Sequence, residues 1–367
     1  MTSHPARIVT FGEVMGRLAA PGFLRLRQAL PGALDITFAG AEANVAVSIA
    51  SLGGCASFIT ALPVNPVADA CVGMLRGLGV DVSHIVRTDY GRLGLYFLEA
   101  GANQRPSNVV YDRDHSAVSL TPGDAYAWDA AFANAAWFHV TGITPSLSRT
   151  AAEAALCAAR EAQARGLRVS CDLNFRKKLW RWDPEVKPRD LAERTMRALL
   201  KHVDLVVANE ADAGDVLSIR AGASDVEAGR LDIDRYPDVA RQIVAQFPHV
   251  RHVAITLRES LSASHNNWGG MLYDAASDKA HFAPERNGAY APYEIRSIVD
   301  RVGGGDAFAA GIIFALTTPE LADPRQAVAF AAASSCLAHS IVGDLNYTRR
   351  PEVEALMGGS ASGRVVR

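Results

Sequence analysis

The sequence predicts an α/β fold in which a mostly parallel central sheet carries helices on both faces and a small antiparallel β lid. Three observations lead there. Short Val/Ile/Leu-rich runs alternate with Ala-rich runs at helical spacing, two alternating aromatic-bearing stretches interrupt that beat, and a glycine triplet at 303–305 opens an apolar helix. With 367 residues, 49% of them apolar and 21% charged, the chain has ordinary globular composition, which excludes disorder, collagen and coiled coil as its main state. Lys and Arg (37) nearly balance Asp and Glu (39), so the chain lacks the broad positive field of a nucleic-acid binder and a small ligand is the better partner.

The elements follow in order. Residues 7–11 read as a strand, 41–52 as a helix ended by Gly53-Gly54, and 56–61 as a strand. The beat resumes with a helix at 151–165 stopped by Gly166, a buried strand at 168–173 and a helix at 191–201. A strand at 203–208, a helix at 239–246 and a strand at 252–257 complete it. Strand and helix alternating in this way build a sheet whose ligands lie outside the carboxyl ends of its strands. Residues 13–38 and 92–118 lack that beat, with runs such as Leu95-Tyr96-Phe97-Leu98 and Val109-Val110-Tyr111. Two separated insertions cannot fold alone, so they are expected to form a lid on a single unit spanning 1–357, followed by a fraying tail at 358–367. Arg25 and Arg27, flanked by leucines, read as a solvated strand face, and 218–236 as an exposed loop or short helix.

Five cysteines at 55, 71, 157, 171 and 336, an odd number without C-x-x-C spacing, sit in apolar segments and read as reduced core residues of a cytoplasmic protein. No apolar run approaches the roughly 20 residues that span a bilayer, and no signal peptide is apparent at the start. His249 and His252 lack a third ligand nearby and read as structural.

The chemistry concentrates at 297–316, SIVDRVGGGDAFAAGIIFAL. Gly303, Gly304 and Gly305 lack Cβ atoms, so their amides can converge on an anion at the point where the helix contributes its positive end. Asp306 has two readings: a first-turn cap, or a base that removes a proton from a phosphoryl acceptor beside the anion. No Walker A or protein-kinase catalytic motif is present.

The run 300–311, Asp-Arg-Val-Gly-Gly-Gly-Asp-Ala-Phe-Ala-Ala-Gly, resembles the late signature of the ribokinase-like (phosphofructokinase-B type) carbohydrate kinases, with Arg301 replacing a Thr and Gly304 an Ala. Gly40-Ala41-Glu42-Ala43-Asn44 resembles the early signature and Asn209-Glu210 the family's pair near the nucleotide phosphates and magnesium. The resemblance implies a ribokinase-like fold, ATP and Mg²⁺ held through the phosphates, Asp306 as catalytic base and Gly303 to Gly305 as anion hole. It also allows a monovalent cation such as K⁺ near Asp300 or the 340–343 loop, and a homo-oligomer. Thr256 and Arg258 would lie beside the nucleotide, with the adenine against Ala332 and Cys336.

Within the family, Gly-Ala-Glu-Ala-Asn-Val-Ala at 40–46, Asp-Leu-Asn-Phe-Arg at 172–176 and Gly-Asp-Leu-Asn at 343–346 are most similar to 2-keto-3-deoxygluconate kinases. That likeness implies phosphorylation of the primary hydroxyl of a keto-deoxy sugar acid, contacted by Gly40, Asn44, Tyr96, Tyr111 and Asp344. Arg113 and Arg176 fall on segments expected to face the site, where a planar guanidinium would favour a carboxylate. The alternatives are a kinase of a neutral sugar (fructose, ribose) or a deoxy-keto-inositol, and a non-catalytic sugar-binding or regulatory homologue.

Overall fold

Parallel pairing of Arg7–Phe11 with Cys55–Ile59 on one side and Ala135–Thr141 on the other seeds the central sheet. Arg168–Asp172, Leu205–Ala208 and His252–Ser262 extend it, all parallel, and His265–Asp274 and Lys279–Ala283 close it antiparallel. The computed structural model describes residues 6–209, 211–219 and 232–360. Side chains of successive strand residues point to opposite faces, and the core divides accordingly. Val9 and Phe11 join one buried cluster with Phe138 and Val169, whereas Ile8 joins another with Phe58, Trp137 and Phe308.

Helices Ala41–Ser51, Arg149–Ala164, Pro188–Leu200 and Tyr236–Gln246 stand where the Ala-rich spacing puts them, within a few residues at their ends. Helix Gly304–Leu316 is apolar nearly all round because helices Ala41–Ser51 and Pro324–Ala338 both pack against it and its Phe308 meets the sheet at Gly270. Its Phe314 stacks on Phe330 of helix Pro324–Ala338 with ring centroids 5.4 Å apart.

The insertions form a four-stranded sheet ordered Asp35–Ala39, Met15–Ala19, Gly94–Glu99, Asn108–Asp112. Its outer pairs are antiparallel, but its central pair is parallel, which corrects the all-antiparallel expectation. The two central strands come from different insertions, so no hairpin forces them to reverse. Arg25 and Arg27 flank and enter the short helix Leu26–Ala29 instead of a strand, because the Gln28 side chain accepts the Arg25 amide at 2.9 Å and the Gln28 amide turns back to the Arg25 carbonyl. The strand starting at His252 runs on to Ser262 because a hairpin with His265–Asp274 satisfies its outer half.

All five cysteines are free; Cys71 and Cys171 are buried, Cys157 and Cys336 half-buried, and Cys55, at the start of an edge strand, is exposed contrary to its expected place in the core. His249 meets the Leu200 carbonyl at 2.9 Å. Among the described residues no helix is long and apolar enough to cross a membrane. Most of the expected loop at 218–236 and of the tail at 358–367 lies outside the described residues.

A Cβ at Gly311 would sit 2.7 Å from the Ala331 Cα, so this glycine lets the two buried helices touch through backbone. Gly311→Ala is expected to lose about 1–3 kcal/mol by overpacking, which exceeds the helix-propensity gain of about 1 kcal/mol. Urea unfolding followed by circular dichroism checks this through a lower midpoint at unchanged slope.

Candidate active site

A helix start leaves its first amides without intrahelical partners. At helix Gly304–Leu316 the N-cap Gly303 takes φ +85°, a left-handed turn that favours glycine, and its absent Cβ would lie 2.1 Å from the Asp344 carbonyl. Among the described residues nothing accepts a hydrogen bond from the amides of Gly304, Gly305 or Asp306. Three adjacent donors therefore remain available at the positive end of a buried helix.

Asp306 stands in that first turn, and a second helix start meets it. Asn44, in the first turns of helix Ala41–Ser51, donates from Nδ2 to Asp306 Oδ2 at 2.7 Å and accepts the Gly40 amide on Oδ1 at 3.2 Å. Gly40 is needed for backbone approach, since a Cβ there would lie 2.0 Å from the Glu13 carbonyl. Burial raises the Asp306 carboxyl to about 6, while the Asn44 hydrogen bond pulls it down and Asp344 pushes it up. A carboxylate tuned to that range is ionised at neutral pH yet basic enough to take a hydroxyl proton.

Around these groups lies a cleft of about 420 Å³ at the carboxyl ends of the parallel strands. Of the residues singled out in the sequence, Gly40, Asn44, Tyr96, Tyr111, Arg113, Arg176, Asn209, Thr256, Arg258, Gly303, Gly305, Asp306 and Asp344 line it. Gly304 does not, since its α-carbon faces the His339 ring and its carbonyl accepts from Ser335 Oγ at 2.5 Å. Ala332 is fully buried in the core, Cys336 is half-buried, and neither lines the cleft. Glu210 lies outside the described residues.

Several side chains have partners that the sequence does not announce. Tyr96 donates its hydroxyl to Asp344 Oδ2 at 2.7 Å, and Arg17 of the lid binds Asp344 Oδ1 at 2.5 Å. Arg113 is ion-paired with buried Glu13 and lies over the Tyr111 ring at 5.4 Å, and its Nε has no hydrogen-bond partner among the described residues. Arg176 is exposed, faces the cleft, and has no ion pair among the described residues.

On the other side of the cleft Asp172, Asn209 and Asp212 converge, Asp212 accepting the amides of Asn209 at 3.0 Å and Phe175 at 3.1 Å. Burial, then Asp212 and Asp306, push the Asp172 carboxyl well above the usual range, against the pull of Arg176. Oxygen donors in mutual repulsion suit a hard divalent cation. No group of three or more His, Cys, Asp or Glu among the described residues is placed to cage a metal, so these oxygens could hold Mg²⁺ only together with phosphate or water ligands. Asp212 was not among the sequence candidates; its three-residue spacing from Asn209 was the available signal. Arg301 also faces the cleft, donating to Asn266 Oδ1 at 2.9 Å, and burial followed by neighbouring Arg258 lowers its pKa.

An open set of helix-start amides, an adjacent buried carboxylate, and a lidded cleft at strand ends define a group-transfer enzyme for a phosphorylated donor. The chain belongs to the pfkB family of carbohydrate kinases, whose model matches residues 5–262. It is 32% identical to a 2-dehydro-3-deoxygalactonokinase of Haloferax volcanii over 98% of both chains. A 2-dehydro-3-deoxygluconokinase of Thermoproteus tenax is 28% identical, with 94% of this chain and 95% of that one covered. The crystal structure of the 2-dehydro-3-deoxygluconokinase of Thermotoga maritima matches with a TM-score of 0.86 at 39% identity, covering 96% of this chain and 100% of that one. The protein is an ATP-dependent sugar kinase, and its family implies ATP with Mg²⁺.

If Asp306 is the proton acceptor, kcat/KM falls as pH drops through about 6, because the protonated carboxyl cannot accept. Asn44→Ala removes the hydrogen bond that lowers this pKa and is expected to move the acid limb to higher pH. Paired pH–rate profiles check both.

Proposed function

We propose that the protein transfers the γ-phosphoryl group of ATP to the primary hydroxyl of 2-keto-3-deoxygluconate or a close keto-deoxy sugar acid. The observation that carries this is the meeting of Asn44 and Asp306 beneath three unpartnered amides, with Arg176 facing the same cleft. The names of the full-length relatives support the acceptor class.

In the proposed mechanism the acceptor lies between Gly40, Asn44, Tyr111 and the lid, its carboxylate toward Arg176 and the buried Nε of Arg113. Tyr96 and Asp344, which bind each other, shape that wall as a pair. Asp306 accepts the hydroxyl proton as the oxygen attacks the γ-phosphorus and the bond to the β-phosphate oxygen breaks, releasing ADP, and the amides of Gly303, Gly305 and Asp306 stabilise charge on the transferring oxygens. Gly303 contributes the turn that aims those amides. Arg258, Thr256 and Arg301 flank the nucleotide phosphates. Asp172, Asn209 and Asp212 would hold hydrated Mg²⁺, which when bound neutralises phosphate charge. The lid excludes water that would otherwise compete as acceptor.

A monovalent cation beside Asp300 is the part of the family pattern that these residues accommodate least, since both Asp300 oxygens already accept hydrogen bonds. No step is assigned to one. The free cysteines support a cytoplasmic setting. A homo-oligomer is supported by the outer face of the lid, where Ile36, Leu18, Phe97 and Val110 lie in register across four strands and Ile36 and Val110 are 64% and 47% exposed.

Phosphoryl transfer to a panel of keto-deoxy sugar acids, neutral hexoses, ribose and a deoxy-keto-inositol tests this reading. Turnover is expected on the acids, and preference for a neutral acceptor, or no turnover at all, would contradict it. Asp306→Asn is expected to lower kcat by about 10²- to 10⁴-fold with ATP binding retained. Arg176→Gln is expected to raise KM for the acid by about tenfold or more, the loss of one charge-assisted hydrogen bond.

A further inference from the structure

Arg17 plays no part in the steps above, yet it is a buried cation held directly behind the cleft-lining Asp344. It rises from the lid strand Met15–Ala19, and its side chain is 4% exposed. One end of its guanidinium binds Asp300, three residues before Gly303, and the other binds Asp344 Oδ1 at 2.5 Å. These two carboxylates flank the glycine loop on both sides. Asp300 Oδ1 accepts the Val302 amide at 3.1 Å, inside the loop, and Oδ2 accepts the Gly343 amide at 3.1 Å as well as Arg17. Asp344 gives its other oxygen to Tyr96.

All four carboxylate oxygens are thus engaged by N–H or O–H donors, and a guanidinium fills the space between them. The carboxylate oxygens that a bare monovalent ion would draw on here already face fixed donors. An arginine fork supplies the same positive charge with fixed direction and without a dissociation equilibrium. Burial alone would lower the Arg17 pKa, but Asp344 and Asp300 hold it above its ordinary value, so the charge is permanent.

We infer that Arg17 is a positioning residue that acts as a built-in cation: it orders the glycine loop through Asp300 and Asp344 and makes phosphoryl transfer independent of added monovalent cations. Because the group is carried by the lid, the loop is fully ordered only when the lid is in place. The effect is therefore on transfer and not on capture of ATP. This rests on the kinase reading above, but one arm of its test does not.

The unsubstituted enzyme is assayed on its best acceptor with Mg-ATP in KCl and in tetramethylammonium chloride at equal ionic strength. The rates are expected to agree within error, and marked stimulation by K⁺ would overturn the inference. Independently of turnover, thermal melting in the two salts is expected to coincide, and a midpoint raised specifically by K⁺ would also overturn it. Arg17→Met is expected to lower kcat about 10²-fold, the cost of a misplaced loop, with KM for ATP little changed and part of the rate restored by K⁺ or by low guanidinium. Full kcat in that variant, or a loss confined to KM for ATP, would refute the positioning role. If Arg17→Met does not fold, Arg17→Lys, which keeps the charge and loses the fork, is expected to fall in kcat and become sensitive to K⁺; a Lys variant with full, cation-indifferent kcat would count against it.

Discussion

Two helix starts meeting head to head set the terms for the whole site. The amides opening helix Gly304–Leu316 have no intrahelical acceptor, and the side chain of Asn44, from the opening of helix Ala41–Ser51, reaches Asp306 at 2.7 Å. Anion binding and a carboxylate are ill-matched neighbours, since each repels what the other attracts. Their coexistence is workable because Asn44 holds Asp306 in one orientation, and because burial lifts its basicity enough to be useful to an incoming hydroxyl. The sheet serves this meeting by delivering Asp172 and Ala208 to the cleft at the carboxyl ends of their strands, while the lid supplies Tyr96, Tyr111 and Arg113.

The lid adds a second constraint. Its own core is small, formed by Met15, Ala39, Tyr96 and Leu98, so its position depends on ties to the main body. One of these ties is the buried ion pairing of Arg17 with Asp300 and Asp344, while buried Arg113 and Glu13 join the two insertions to each other. Buried charges are costly unless paired and hydrogen-bonded, so such ties specify one docking geometry more than they add stability. Arg113, already matched by Glu13, is a weaker recogniser of an acid than Arg176, which forms no ion pair among the described residues.

Local patterns made the glycine loop, Asp306, Asn44 and the alternating strands and helices legible in the sequence, because each depends on residues within one turn or one strand. Properties that depend on distant pairing were not legible. Arg17 carries no local signal and gains meaning only from residues 283 and 327 positions away. The parallel centre of the lid arises from two insertions meeting, and the extension of His252–Ser262 from a hairpin partner that strand periodicity does not specify. Cys55 illustrates the limit of composition, since an apolar neighbourhood places a residue on a strand without saying whether that strand lies at the edge.

The most direct measurement is a crystal structure of the enzyme with ADP, Mg²⁺, a fluoride mimic of the transferring phosphoryl group and 2-keto-3-deoxygluconate. Its equatorial fluorides should rest on the amides of Gly303, Gly305 and Asp306, with the acceptor's primary hydroxyl at about 3 Å from the Asp306 carboxylate. A mimic bound elsewhere in the cleft, or an acceptor hydroxyl facing a different base, would contradict the account.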